Sequence, residues 1–249
     1  MVSGLVSTDD WLSAAKHRRT VYGLKGTSAV PDSRVENIVK EVLSFAPSSY
    51  NTQPVRITLV TGEKHKQFWD IVIAAAEPVL KGAGEQVWST MSGIFQAHKG
   101  AYGSVCIPEG STALIKWEDR DNLCPIYLSM LREHSWLIID LQVVFWESQN
   151  SIKQAGEAHK SAAHMFAEFG DHATGMYQIL VWTALELEGL GANLQHLNAI
   201  PPVEAALKEF LGVPEDYKLK AHLNYGDEAQ EHPQPPQKLP YDETLKVVS

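Results

Sequence analysis

Residues 175–190 read as a helix with too much apolar surface for an ordinary exposed position. Met176, Ile179, Leu180, Ala184, Leu187 and Leu190 recur at helical spacing, and Val181 and Trp182 widen the stripe. An apolar arc of that width calls for burial on more than one side, so the fold must be built around this helix. Gly189-Leu190-Gly191 then ends it, as glycine often ends helices.

The remaining elements alternate in type. Asp9-Asp10-Trp11-Leu12 opens a first helix with an aspartate cap, and the helix runs into His17-Arg18-Arg19-Thr20. Pro31-Asp32-Ser33 opens a second, with Val35, Ile38, Val39, Val42 and Leu43 on one face and Pro47 as its stop. Val55-Arg56-Ile57-Thr58-Leu59-Val60 alternates as a strand. Residues 64–81 form a helical pattern disturbed by Pro78, and Phe95 to Tyr102 leads into a second strand. Residues 151–169 read as a helix separate from 175–190. Ala192 to Asn198 is extended, Pro202 to Leu211 helical and Lys218 to Tyr225 a strand. Helices mixed with separated strands predict an α+β sandwich. From Asp227 to Pro240 the chain is rich in Pro, Gln and Glu, which predicts an extended arm.

Between the second helix and the first strand lies Ala46-Pro47-Ser48-Ser49-Tyr50-Asn51-Thr52-Gln53-Pro54. This loop carries hydroxyls and two amide side chains at a strand end, where α/β proteins place ligands. The formal net charge of −9 argues against nucleic acid and against an anionic membrane surface. The apolar run Trp136 to Trp146 is too short to span a bilayer. The first ten residues lack a basic segment followed by an apolar one, so no secretory signal is expected. Two cysteines, Cys106 and Cys124, make no disulfide framework and fit a reducing, cytoplasmic compartment, with the nucleus as a second location.

Hydrolase and metalloprotease signatures are missing: there is no G-x-S-x-G elbow and no H-E-x-x-H helix. His159, His164 and His172 do not share a helix face at ligand spacing. A G-x-G-x-x-G dinucleotide turn is also missing. What remains is a set of neutral hydrogen-bonding loops and one arginine pair. That suits a cofactor carrying its own reactivity, with the protein supplying binding and electrostatics.

Arg18-Arg19-Thr20, Pro47-Ser48-Ser49-Tyr50-Asn51-Thr52-Gln53-Pro54 and Gly189-Leu190-Gly191-Ala192-Asn193-Leu194-Gln195-His196 together resemble the FMN-dependent nitroreductase family. They are similar in particular to its fungal and bacterial branch of yeast fatty-acid-repression-mutant type. The resemblance covers residues 9–104 and 143–225 and implies one domain over residues 1–249. Its fold would be a mostly antiparallel sheet flanked by helices, in an intertwined homodimer centred on helix 175–190. The activity implied is that of an FMN-dependent NAD(P)H oxidoreductase. It would reduce nitroaromatics, quinones or related acceptors by a ping-pong mechanism, and no side chain need act as general acid or base. Arg18, Arg19 and Thr20 would meet the FMN phosphate and ring edge. Ser48, Ser49, Asn51 and Gln53 would hold the ribityl chain, phosphate or ring, partly from the second subunit. Leu194, Gln195 and His196 would approach the N5 edge. The alternatives are a flavin-binding redox sensor with little turnover and a non-productive isoform.

Two departures from the family pattern stand out. The arm has Asp227-Glu228 where the family usually keeps a basic residue, and Lys238 is the nearest substitute. Residues 105–142 lack either periodicity, while joining Ser104 to Val143 restores an unbroken strand pattern. That predicts an insertion extruded from the core: a translated, unspliced intron, or a genuine lineage-specific insertion such as a lid.

Overall fold

The computed structural model describes residues 6–48, 53–110, 157–196, 200–213 and 217–248. Over these residues the elements are α1 (Thr8–His17), α2 (Asp32–Phe45), β1 (Thr58–Thr61), α3 (Gly62–Ala83), α4 (Glu85–Lys99), β2 (Gly103–Gly110), α5 (Glu157–Leu187), β3 (Gly191–Gln195), α6 (Pro201–Leu211), β4 (Tyr217–Gly226) and α7 (Tyr241–Thr244). The strands form one sheet in the order β1-β2-β4-β3, and every described pairing is antiparallel.

Strand alternation divides the core into two layers. Val105 of β2 and Leu223 of β4 face a cluster with Val35, Ile38, Val39 and Val42 of α2 and Tyr177, Val181 and Leu185 of α5. Cys106 faces the other way, toward Phe68, Trp69, Val72 and Ala76 of α3, Phe95 of α4, and Val203 and Leu207 of α6. Leu219 and Leu223 are four apart, yet lie in opposite layers. The register explains it: Pro108 pairs with Leu219 and Ile107 with Ala221, so Lys220 is an extra residue that reverses the alternation. Pro108 falls at this bulge, beyond the last β1 partner, where a strand tolerates a missing N–H.

Several sequence expectations need correction. The cap of α1 is Ser7, whose Oγ accepts from the Asp10 N–H at 3.1 Å, while Asp9 and Asp10 fall in the first turn. Residues 95–99 complete α4 instead of leading into a strand, because the chain turns only at Gly100. Helix α3 continues through Pro78 to Ala83. The helices expected at 151–169 and 175–190 are one, α5, which passes through Gly175 without a break.

Residues 105–110, the start of the expected insertion, are not extruded from the core. Strand β2 runs to Gly110, paired with β4 throughout and with β1 up to Cys106. Val105 and Cys106 are buried in the core, because their backbone bonds and side chains complete the sheet. The strand is therefore not broken at Ser104. Residues 111–156, and with them most of the unusual segment, lie outside the described residues. Among the described residues, no helix is long and apolar enough to cross a membrane.

Candidate functional site

Helix α1 ends where Arg18 takes φ −53° and ψ 125°, leaving the helical region. The chain then crosses the last turn of α5. The Arg18 guanidinium lies over the indole of Trp182, 4.3 Å from the ring centroid. The Arg19 N–H donates to both carboxylate oxygens of Glu186, each at 2.9 Å, and Arg19 Nη1 donates to the Arg18 carbonyl at 2.7 Å. Trp182 Nε1 donates to the same carboxylate at 3.1 Å. Burial pushes the Glu186 carboxyl up to about 7, against the opposing pull of these donors.

The backbone next runs beside β3. The Val21 N–H donates to the Ala192 carbonyl at 2.9 Å, and Asn193 Nδ2 donates to the Val21 carbonyl at 2.9 Å. Strand β3 is the sheet edge, and Ala192 shows its carbonyl to that outer side. Two residues on, the Leu194 N–H lies on the same side by strand alternation, and it has no backbone partner among the described residues. The chain that follows the basic pair is thus tied to β3 just before the Leu194–Gln195–His196 stretch.

The loop after α2 closes on itself. The Gln53 N–H donates to Ser48 Oγ at 2.9 Å, and Arg56 Nη1 donates to the Gln53 carbonyl at 2.9 Å. Gln53 sits at φ +47°, a left-handed conformation unusual for a residue with a side chain. Tyr177 of α5 donates to the Ala46 carbonyl at 3.4 Å, so the loop hangs from the helix that also carries Trp182.

Over residues 15–227 the sequence matches the nitroreductase family. The chain belongs to that family. It is 28% identical over 221 residues to the Saccharomyces cerevisiae nitroreductase FRM2, with 88% of each chain covered, which places it with the yeast-type branch. Its fold matches the nitroreductase CinD from Lactococcus lactis, solved with nicotinic acid, with a TM-score of 0.69 at 22% identity over 96% of this chain and 100% of that one. It also matches a nitroreductase from Desulfovibrio desulfuricans solved in complex with FMN, with a TM-score of 0.56 at 16% identity over 96% of each chain.

In this nitroreductase-family chain, the backbone just after Arg18-Arg19-Thr20 is bonded to β3 just before Leu194-Gln195-His196, through Val21 to Ala192 and Asn193. Ser48 and Gln53 belong to the third piece and have no hydrogen bond to the other two among the described residues. Ser49 and Asn51 lie outside the described residues. His196 is exposed just past β3. Lys238 is exposed in the arm and has no ion pair with the site among the described residues.

The acidic pair in the arm has a structural role. Asp227 accepts from Thr27 Oγ1 at 2.6 Å and from the Ala29 N–H at 2.7 Å. The Lys25 N–H donates to the Asp227 carbonyl at 2.8 Å, and Leu24 bridges Glu228. These contacts strap the arm to residues 24–29 and fold it back toward the end of α1.

Sequence reading missed a buried polar row under β3. Asn193 Oδ1 accepts from Gln195 Nε2 and from Asn224 Nδ2, both at 3.1 Å. Ser104 Oγ donates to Asn224 Oδ1 at 2.8 Å and lies 3.2 Å from His65 Nδ1. His65 Nε2 meets the His98 carbonyl at 3.1 Å. Asn193 therefore joins the backbone that follows the arginine pair to the side chain of Gln195. Trp69 Nε1, His98 Nε2 and His222 Nε2 lie in the same layer without partners among the described residues. Alternation could not flag the row, since Ser104, His222, Asn224 and Asn193 alternate with apolar residues as a solvent-facing set would, and only packing on both faces of the sheet buries them.

The donor set fits a phosphorylated, ring-bearing group such as FMN. A guanidinium placed over an indole suits an oxyanion, and a strand-edge N–H with no backbone partner among the described residues suits a ring nitrogen or carbonyl.

Proposed function

We propose that this chain is an FMN-dependent NAD(P)H oxidoreductase that reduces nitroaromatics, quinones or related small acceptors in a ping-pong cycle. Family membership supports an oxidoreductase. The observation that carries the finer reading is the bonding of the backbone just after the arginine pair to the edge of β3, through Val21, Ala192 and Asn193. An FMN-bound relative of the same fold supports the choice of flavin.

The chemistry FMN supplies is two-electron transfer between a nicotinamide and an acceptor. The chain's own residues bind and orient. Arg18 offers positive charge to the phosphate, with Arg19 and Thr20 beside it. The Leu194 N–H, Gln195 and His196 face the ring edge. Ser48, Ser49, Asn51 and Gln53 complete the cradle, partly from the second subunit. Lys238 is the arm's candidate for a further phosphate contact.

The same reading makes the protein a homodimer and one nitroreductase-like domain, working in the cytoplasm. Helix α5 supports the dimer. Tyr177, Val181 and Leu185 are fully buried, while Met176 and Ile179 are 41% and 45% exposed. The sequence asks for burial on more than one side, and a single chain buries one.

The visible spectrum of the purified full-length protein tests the proposal. A yellow protein that bleaches on addition of NADH or NADPH and recovers with a nitroaromatic or quinone is the expected result. Yellow colour without bleaching points instead to a redox sensor. A colourless protein that stays so when FMN is supplied overturns the flavin assignment. Light scattering should give the mass of two chains.

A further inference from the structure

Three side chains from three separate elements meet beside the arginine pair. His17 ends α1, Glu186 lies in the last turn of α5, and His232 belongs to the C-terminal arm. One ligand atom from each lies within 4.8 Å of the other two. His17 Nδ1 is 3.7 Å from Glu186 Oε2, and the two imidazoles stack with centroids 4.4 Å apart. Two imidazoles and one carboxylate are the donor set of three-ligand zinc sites with an open fourth position.

The surroundings of each ligand strengthen this reading. Glu228 Oε1 lies 2.8 Å from His232 Nδ1, so a carboxylate holds the ring from behind, as the outer nitrogen of a metal-bound imidazole is usually held. His232 Nε2 is turned inward, 2.9 Å from the His17 carbonyl oxygen. Glu228 is placed by backbone, through its bridge to Leu24 and the Ala229 N–H bond to the Gly23 carbonyl at 2.8 Å. Glu186 is oriented by Arg19 and Trp182, and Oε2 keeps a lone pair beyond its bond to the Arg19 N–H.

We propose that His17, Glu186 and His232 form a site for a divalent transition-metal ion of the zinc class, with Glu228 steadying His232 and water in the fourth position. Metal–nitrogen bonds of about 2.0–2.1 Å place tetrahedral ligands roughly 3.3 Å apart. Turning the exposed His17 ring and swinging His232 Nε2 off the His17 carbonyl are the movements that close the set. The ion takes the place of the proton that His232 Nε2 presents to the His17 carbonyl, and that proton leaves to solvent. Because Arg18 directly follows His17, the ion would staple the arm, the end of α1 and the end of α5 into one piece next to the arginine pair. The site depends on neither bound flavin nor turnover.

Zinc chloride and cobalt(II) chloride are the probes, used on the full-length chain both free of flavin and loaded with it. Calorimetry should show one zinc ion per chain. Cobalt should give the visible absorption of a four-coordinate nitrogen–oxygen site, without a thiolate charge-transfer band. H17A and H232A should each weaken zinc binding at least tenfold, and E228Q by about tenfold. His17 is exposed, so H17A should keep the wild-type circular dichroism and melting temperature without metal. Loss of binding in that folded variant separates a ligand from a structural residue. No zinc binding by the wild type, or unchanged affinity in H17A and H232A, overturns the site. Bleaching of bound flavin by NAD(P)H without any zinc binding would sink this inference and leave the proposed function standing.

Discussion

The guanidinium of Arg18 rests on the indole of Trp182, 4.3 Å from its centroid, and this contact seats the arginine pair on the end of the longest helix. Arg18→Ala should therefore release most of the FMN during gel filtration, while the melting temperature of flavin-free protein changes little. A cation–π contact at a partly exposed site contributes only about 0.5–1 kcal/mol. Flavin stoichiometry by absorbance is the measurement, and full retention would remove Arg18 from the site.

Asn193 is fully buried and serves Val21, Gln195 and Asn224 at once. Asn193→Leu keeps the branched shape but leaves Val21, Asn224 and the part-buried Gln195 each short of a partner, at about 1–3 kcal/mol where water cannot reach them. Denaturant midpoints should fall accordingly. In the surviving fraction, FMN affinity should drop with it, because Gln195 loses its hold. A variant destabilised but equal in FMN affinity would confine Asn193 to the fold.

Stability should decline in acid before the ordinary carboxylates titrate, with the raised Glu186 carboxyl, at about 7, offsetting part of the fall. His65 and His98 are lowered to about 4 and His222 to about 3, each chiefly by burial. These rings face one another from α3, α4 and β4, with Lys66 and His196 adding minor repulsion. The unfolded chain binds protons on them near pH 6.5, and the folded chain refuses them. Their contribution is therefore complete above pH 6.5 and is lost as pH falls toward 4. The loss is about 1.4 kcal/mol per pH unit for each histidine so withheld. Urea unfolding at pH 7, 6 and 5 should show it, and a flat profile would contradict the buried assignment.

Gly226→Ala should destabilise strongly. A Cβ there would stand 2.6 Å from the Lys25 carbonyl and 3.2 Å from the Tyr102 nitrogen, both backbone atoms that cannot rotate away. Overpacking of this kind costs about 1–3 kcal/mol or more. Gly212→Ala, where nothing lies within 4 Å, pays only for its left-handed φ of +64° and should cost less. The ordering of the two melting temperatures checks the argument.

Much of the fold was legible because helices and strands announce themselves over short stretches. The stripe Val35, Ile38, Val39, Val42 maps directly onto the buried face of α2. The apolar breadth of residues 175–190 marked the central helix, and the loop from Pro47 to Pro54 marked a strand entrance. Local pattern misjudged residues 95–99 and divided α5, because a terminus or a tolerated glycine depends on what packs around it.

The sequence by itself determined the element types, the family and the polar character of the motif pieces. Tertiary structure decided which pieces meet. Arg19 finds Glu186 across 167 residues and Asn193 finds Val21 across 172, pairings no window of sequence contains. The faces of β4 depend on one extra residue at Lys220, since side chains alternate with period two and a single insertion exchanges inside for outside. Burial then set the chemistry. Ser104, Asn224 and the histidines around them look like solvent-facing residues in the sequence, and only packing on both sides of the sheet made them an enclosed network.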